Sequence, residues 1–387
     1  MASCTSWWRN TTRSPSSSPA TVDTVIALAR NAGSGAFDPA RPLWELTIIE
    51  GLEGDRAAMV LKVHHSLTDG IGGIQIAHHV FDLEPEPGHL GPLPDLPTPE
   101  HLPLGPIGSL LDAIGYDLGH AARSGLSCLR AAPSDALHAV RHPRHTIEQA
   151  ITTTRAIARF ARPITDTRSP VMTERRLMWH YDRFDVPLGA LRQAARSGGM
   201  AGTLNDAFLA GVTGGLRRYH QRHDATVGEL RVTMPVSVRR PDDPEGGNRI
   251  TLVRFDLPVA PEDPAERLRE ISRICHELRH DPAIPYSDTI AGILNLLPSQ
   301  VTGGMLKHVD FLASNVPGLR VPVWLAGARM VAFYAFGPTI GAAANITLMS
   351  YCDHCYIGVN TDAGAVPDPD VFLQCLQEGF DEVRALA

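Results

Sequence analysis

The chain has 387 residues, of which 43% are hydrophobic and 20% charged, and its formal net charge is -7. That length suffices for two domains with a sizeable core, and the acidic balance argues against nucleic acid as a partner. No apolar run reaches the length of a membrane span, no apolar stretch follows a basic start, and six scattered cysteines (Cys4, Cys128, Cys275, Cys352, Cys355, Cys375) are too sparse for a disulfide framework, so a cytoplasmic protein is expected.

Residues 1–20 are Ser/Thr-rich and are expected to form a disordered tail. Thr21 to Asn31 reads as a short helix, with Gly33 after its end. Arg41 to Leu52 reads as a strand entered through Pro42, with Trp44, Leu46 and Ile48 alternating. Gly51 to Arg56 is a turn. Ala57 to Val63 is apolar and β-branched enough for a buried strand, antiparallel to the first. Then come His64, His65, Ser66, Leu67, Thr68, Asp69 and Gly70, with Asp69 and Gly70 in a turn and a helix leaving it through Ile74, Ile76, Ala77 and Val80.

Residues 82–107 are rich in Pro, Gly and acidic groups and read as a linker. Residues 108–162 read as two or three helices. From His120 to Arg162 they carry seven arginines (Arg123, Arg130, Arg141, Arg144, Arg155, Arg159, Arg162) against Asp135 and Glu148. Such a segment suits a solvated helix face, or an anionic membrane or lipid surface.

The second half begins with a strand from Arg175 to Asp185 and a helix from Pro187 to Arg196. A longer helix runs from Thr203 to His220 and carries Asn205 and Asp206 in its first turn, where amide and acidic groups favour helix starts. Strands are expected at Leu230 to Val238 and Ile250 to Leu257, and a helix from Asp263 to Leu278. Short helical patterns cover Ala291 to Leu297 and Val301 to Lys307. A strand then ends in the turn Ser314-Asn315-Val316-Pro317-Gly318. Strands at Met330 to Phe336, Ala344 to Tyr351 and Cys355 to Asn360 precede a last helix, Pro369 to Leu386.

A histidine at a strand end projects into space, and its ordinary pKa near 6.5 suits it to take a proton at neutral pH. A lone histidine there is more often a hydrogen-bonded core residue. Here four positions are set at once, as His-His-x-x-x-Asp-Gly. This pattern resembles the acyltransferases that use coenzyme A or carrier-protein thioesters. Four further segments narrow the resemblance to the bacterial wax ester synthase/diacylglycerol acyltransferase family. They are Pro42-Leu43-Trp44, Asn205-Asp206, the run Met234 to Arg239 with Gly247-Asn248-Arg249, and Ser314 to Gly318. It covers roughly residues 36–385.

The resemblance implies an α/β fold of two chloramphenicol acetyltransferase-like domains. Each would be a mixed, largely antiparallel sheet with flanking helices, and the active-site tunnel would lie between them. Residues 21–105 would be the first half, 106–165 a helical linker and 166–387 the second half. The implied reaction moves a fatty acyl group from acyl-CoA, a substrate, to diacylglycerol or a long-chain alcohol. No cofactor or metal is required, because thiolate is a good leaving group. His65 is the implied general base, with His64 beside it and Asp69 holding the loop. Gly70, Asn205, Asp206, Trp44, Ser314 and Asn315 are assigned to substrate binding or structural support, with Asn205 proposed near the reacting oxygen. A peripheral place on the membrane or on lipid inclusions would bring the enzyme to its acceptor.

Family members usually carry more strands before the Pro-Leu-Trp segment, and residues 1–20 do not resemble them. A shortened first sheet with an open edge is therefore expected. This motivates an alternative, a catalytically weak relative that binds lipid or acyl-CoA. Transfer from a carrier protein is a third reading, against which Pro42-Leu43-Trp44 and the Ser314 to Gly318 segment argue. Cys352-Asp353-His354-Cys355 has metal-like spacing, but a closed zinc site needs four ligands and no second pair stands nearby. His78 and His79 read as structural. No phosphate loop, dinucleotide fingerprint or Gly-x-Ser-x-Gly elbow is present.

Overall fold

A computed structural model describes residues 20–38, 41–86, 166–197, 202–237, 250–280 and 308–387. The expected linker from residue 87 on, the arginine-rich helices, the Gly247-Asn248-Arg249 segment and the short helices near 291–307 lie outside the described residues.

The chain opens with helix α1 (Val22–Ser34), strands β1 (Trp44–Leu52) and β2 (Arg56–Val63), and helix α2 (Gly70–Val80). The Thr21 hydroxyl caps α1, which runs on past Gly33 to a C-cap at Gly35. β1 and β2 pair antiparallel from Trp44 opposite Val63 to Leu52 opposite Arg56. One face of the pair carries Ile49 and Leu52, which bury against Val25 of α1. The alternation of side chains puts Trp44, Leu46, Ile48, Met59, Leu61 and Val63 on the other face, where Trp44 and Leu61 remain half exposed. Among the described residues this sheet has two strands.

The remainder is built on a six-stranded mixed sheet in the order β3-β10-β9-β6-β4-β5. Its strands are β3 (Trp179–Pro187), β4 (Glu229–Ser237), β5 (Ile250–Pro258), β6 (Phe311–Val316), β9 (Ala344–Tyr351) and β10 (His354–Asp362). β6 is parallel to both β4 and β9, and the other pairs are antiparallel. Helices α3 (Leu188–Ser197), α4 (Leu204–Arg222), α5 (Pro264–Arg279) and α6 (Pro369–Arg384) carry the apolar side chains that bury one face of this sheet. α4 is buried from Asp206 through Leu216 without a break, as a central helix is. It meets α6 through glycines: a Cβ on Gly379 would stand 2.2 Å from the backbone nitrogen of Gly215.

Among the described residues the element types agree with the expectations above, though β2 is partly exposed along its length rather than buried, and two further segments differ. The strand expected from Arg175 begins instead at Trp179. The backbone nitrogens of Arg176 and Leu177 turn to the buried Asp362 carboxylate, at 2.8 and 2.7 Å, and so leave the ladder. No strand forms at Met330 to Phe336. A two-residue hairpin, β7 (Trp324–Leu325) with β8 (Ala328–Arg329), precedes it. The chain from Met330 to Pro338 is held by side chains of β9 and β10. Tyr351 and Tyr356 hydroxyls donate to the carbonyls of Met330 and Val331, and Asn360 and Asn345 amides donate to Gly337 and Pro338. The carbonyls take side-chain donors instead of a strand partner.

Candidate active site at the histidine loop

β2 ends at Val63, and the backbone nitrogen of His64 adds one more hydrogen bond, 2.9 Å to Leu43 O. A turn follows, closed by Leu67 N donating to His64 O at 3.0 Å. The His64 ring is committed to this loop. Its Nδ1 accepts from the Ser66 backbone nitrogen at 3.2 Å and lies 2.8 Å from the Ser66 hydroxyl. Phe37 packs edge-on against it, with ring centroids 5.8 Å apart. Lys62 braces Phe37: its Nζ lies 4.1 Å from the ring centroid and donates to Gly35 O at 2.8 Å. Neither Phe37 nor Lys62 was singled out from sequence, since their contacts depend on where α1 ends.

His65 is exposed, and its ring makes no hydrogen bond among the described residues. The two histidines thus differ in kind. One is fastened to the loop, and the other stands free at the strand end.

Asp69 is 2% exposed and caps α2, its Oδ1 accepting from Gly72 N at 2.7 Å. A buried carboxylate spent on a helix start fixes where the loop leaves. Gly70 then lies against Val316 of β6, at a place where a Cβ would come within 3.0 Å of Val316 Cγ2. Farther along α2, Ile74 and then Phe81 pack against Leu319, Val323, Tyr351 and Tyr356. Asp82 exchanges backbone hydrogen bonds with Trp324 at 2.8 and 2.9 Å. The histidine loop is therefore tied to the large sheet at both ends of α2.

Val316 belongs to the Ser314 to Gly318 segment, so two of the motifs separated in sequence meet here. A third reaches the other side of the same strand. Asn315 Nδ2 donates to Asn205 Oδ1 at 3.4 Å, at the first turn of α4. Register places Ser314 opposite Thr347, and Val316 opposite Met349, on the face away from the core helices. Asp206 closes the capping box at the start of α4 and also ties it to α5. Its Oδ2 accepts from Thr203 N at 2.8 Å and from the Ser272 hydroxyl at 2.9 Å. Trp44 stands opposite Val63, one residue before the histidines.

Cys352 and Cys355 lie at the β9–β10 hairpin, with Cys352 in its turn at φ +51°. Burial pushes the Cys355 thiol up to about 12, which disfavours the thiolate that a metal would need. Among the described residues no group of three His, Cys, Asp or Glu side chains is arranged to hold a metal. No helix among them is long and apolar enough to cross a membrane.

Comparison with known proteins adds an independent line. Residues 12–208 match the wax ester synthase/diacylglycerol acyltransferase catalytic domain, and residues 246–384 match the WS/DGAT C-terminal domain. A putative diacylglycerol O-acyltransferase of Mycobacterium tuberculosis is 35% identical over 387 residues, covering 96% of this chain and 75% of the relative. An O-acyltransferase of Acinetobacter baylyi is 28% identical over 93% of this chain and 77% of its own length. Among solved structures, the wax ester synthase/diacylglycerol acyltransferase of Marinobacter aquaeolei superposes with a TM-score of 0.60 at 21% identity, over 95% of this chain and 77% of that one.

Proposed function

The chain belongs to the wax ester synthase/diacylglycerol acyltransferase family, and on that premise we propose the chemistry its histidine loop performs. The enzyme is an O-acyltransferase that moves an acyl group to diacylglycerol or to a long-chain alcohol. The donor is a fatty acyl-CoA. His65 removes the proton from the acceptor hydroxyl as its oxygen attacks the thioester carbonyl. The tetrahedral intermediate collapses, the carbon–sulfur bond breaks, and the imidazolium returns its proton to the departing thiolate. The products are an ester and free CoA. Base assistance of this kind contributes about 10²–10⁴-fold.

One observation carries the assignment to His65 rather than His64: of the two rings, that of His64 is hydrogen-bonded to Ser66, and that of His65 makes no hydrogen bond among the described residues. His64 positions the loop through Ser66 and Phe37. Asp69 holds the loop as a helix cap and does not touch substrate. Asn205, with Asn315, supplies amide groups at the end of β6. Residues 21–105 and 166–387 form the two acyltransferase halves, joined by 106–165. The seven arginines between 120 and 162 support a peripheral place on an anionic membrane or lipid inclusion. The test is an assay of purified protein with labelled palmitoyl-CoA, offering hexadecanol and diolein separately. Formation of either ester supports the reading. Binding of palmitoyl-CoA without ester formation would favour the non-catalytic alternative.

A further inference from the structure

The face of the large sheet turned away from the core helices carries charged side chains on β4 and β5. Arg231 stands opposite Asp256, and Thr233 opposite Arg254. The first pair is matched in charge, although Asp256 Oδ1 accepts no hydrogen bond among the described residues. Arg231 Nε lies 3.6 Å from Asp256 Oδ1, and its Nη1 donates to Asp166 O at 2.8 Å. Arg168 reaches both Asp256 and Glu229. The second pair is not matched. Arg254 has no carboxylate or hydrogen-bond partner among the described residues, and its Nε is buried unpaired. The Thr233 hydroxyl, in a residue 1% exposed, is also buried without a partner among the described residues. A cation and a hydroxyl, both unmatched, thus share one cross-strand position on one face.

We propose that Arg254 and Thr233, flanked by Arg231, bind a phosphate group of the acyl-CoA donor. This rests on the acyl-CoA reading given above. Burial, and then the neighbouring Arg231, hold the Arg254 guanidinium below its ordinary pKa. An anion at this position would relieve both costs. A guanidinium with a hydroxyl beside it suits a phosphate oxygen, which accepts from both.

Placement relative to the histidine loop fits the donor. Thr233 is level with Leu312 of β6, and Val316, four residues on, touches Gly70. Four residues along a strand and two strand spacings across the sheet put Arg254 about 16 Å from Val316, beside the start of α2. That span suits an extended pantetheine arm, with the thioester at the histidines and the phosphates at Arg254.

The experiment measures binding of CoA, 3′-dephospho-CoA and inorganic pyrophosphate to the full chain, and the KM for palmitoyl-CoA against palmitoyl-pantetheine. The proteins compared are wild type, Arg254→Gln, Arg254→Lys and Thr233→Val, each checked by thermal melting. Expected are weaker CoA binding in Arg254→Gln and a fall of about tenfold in its preference for palmitoyl-CoA over palmitoyl-pantetheine. Partial rescue is expected in Arg254→Lys, and a smaller loss in Thr233→Val. If Arg254→Gln does not fold, competition between pyrophosphate and CoA on the wild type decides. Equal losses for both thioesters, or competition by palmitate but not by pyrophosphate, would overturn the phosphate site. If the wild type transfers no acyl group yet CoA binding still depends on Arg254, the site stands and the catalytic reading fails.

Discussion

The Cβ that Gly70 lacks would stand 3.0 Å from Cγ2 of Val316, so the start of α2 and the end of β6 touch, and a methyl group would fit there only if Val316 shifted. These residues lie 246 positions apart in the chain, and their contact fastens the histidine loop to the large sheet. Gly70→Ala should destabilise by about 1–3 kcal/mol, the usual cost of overpacking, and should lower turnover by moving His65. Val316→Ala should restore both when combined with Gly70→Ala. Denaturant melts and turnover in a double-mutant cycle measure the coupling; additive effects would show that the contact does not position the loop.

Asp69→Ala should cost about 0.5–2 kcal/mol through loss of the α2 cap, and should lower activity in parallel. Asp69→Asn, which keeps a cap oxygen, should recover most of the stability and much of the turnover. If Asp69→Asn is as stable as wild type but inactive, Asp69 takes part in the chemistry instead.

The neutral ring of His220 is built into the fold. Ser169 Oγ lies 2.7 Å from its Nε2 and accepts from the backbone nitrogens of Val171 and Met172, so the hydroxyl hydrogen is given to His220. The ring Nδ1 donates to Leu216 O at 2.8 Å. Burial, helped by the nearby His223, holds its pKa below the ordinary 6.5. The unfolded chain therefore binds more protons than the folded one as pH falls below about 6.5. Stability contributed by the neutral ring is present above that pH and is lost as pH falls toward the lowered folded value. Thermal melts from pH 7.5 to pH 5 should show this decline, and His220→Gln, though less stable, should show a shallower slope. An unchanged slope in the variant would assign the decline to other groups.

Protein binding to liposomes should require anionic lipid and should weaken with salt, since exposed charges are screened over about 8 Å at physiological ionic strength. Replacing Arg155, Arg159 and Arg162 with Gln should reduce co-sedimentation. Binding that is absent, or indifferent to salt, would remove the peripheral assignment.

Much of this site is local and could therefore be read from the chain. The histidines end a strand of apolar, β-branched residues, and Asp69-Gly70 mark the start of a helix. The observed cap from Asp69 to Gly72 is a contact over three residues. What the sequence hid is long-range. The Gly70 contact with Val316, and that of Asn205 with Asn315, depend on the order of strands. The strand misplaced at Met330 to Phe336 has the right composition, but Tyr351 and Tyr356 claim its first carbonyls from the sheet below, and Asn360 holds Gly337 just beyond it. Arg254 and Thr233 looked like ordinary members of alternating strands, because an unmatched charge becomes visible only when its neighbours are known.

The most direct measurement is acyl transfer by His65→Ala and His64→Ala, with palmitoyl-CoA as donor and hexadecanol or diolein as acceptor, alongside melting curves for each. His65→Ala should retain the wild-type melting temperature and lose transfer by about 10²–10⁴-fold. His64→Ala should lose less activity, with some loss of stability as its contacts to Ser66 and Phe37 disappear. Equal loss in both variants at unchanged melting, or full activity in His65→Ala, would contradict His65 as the base.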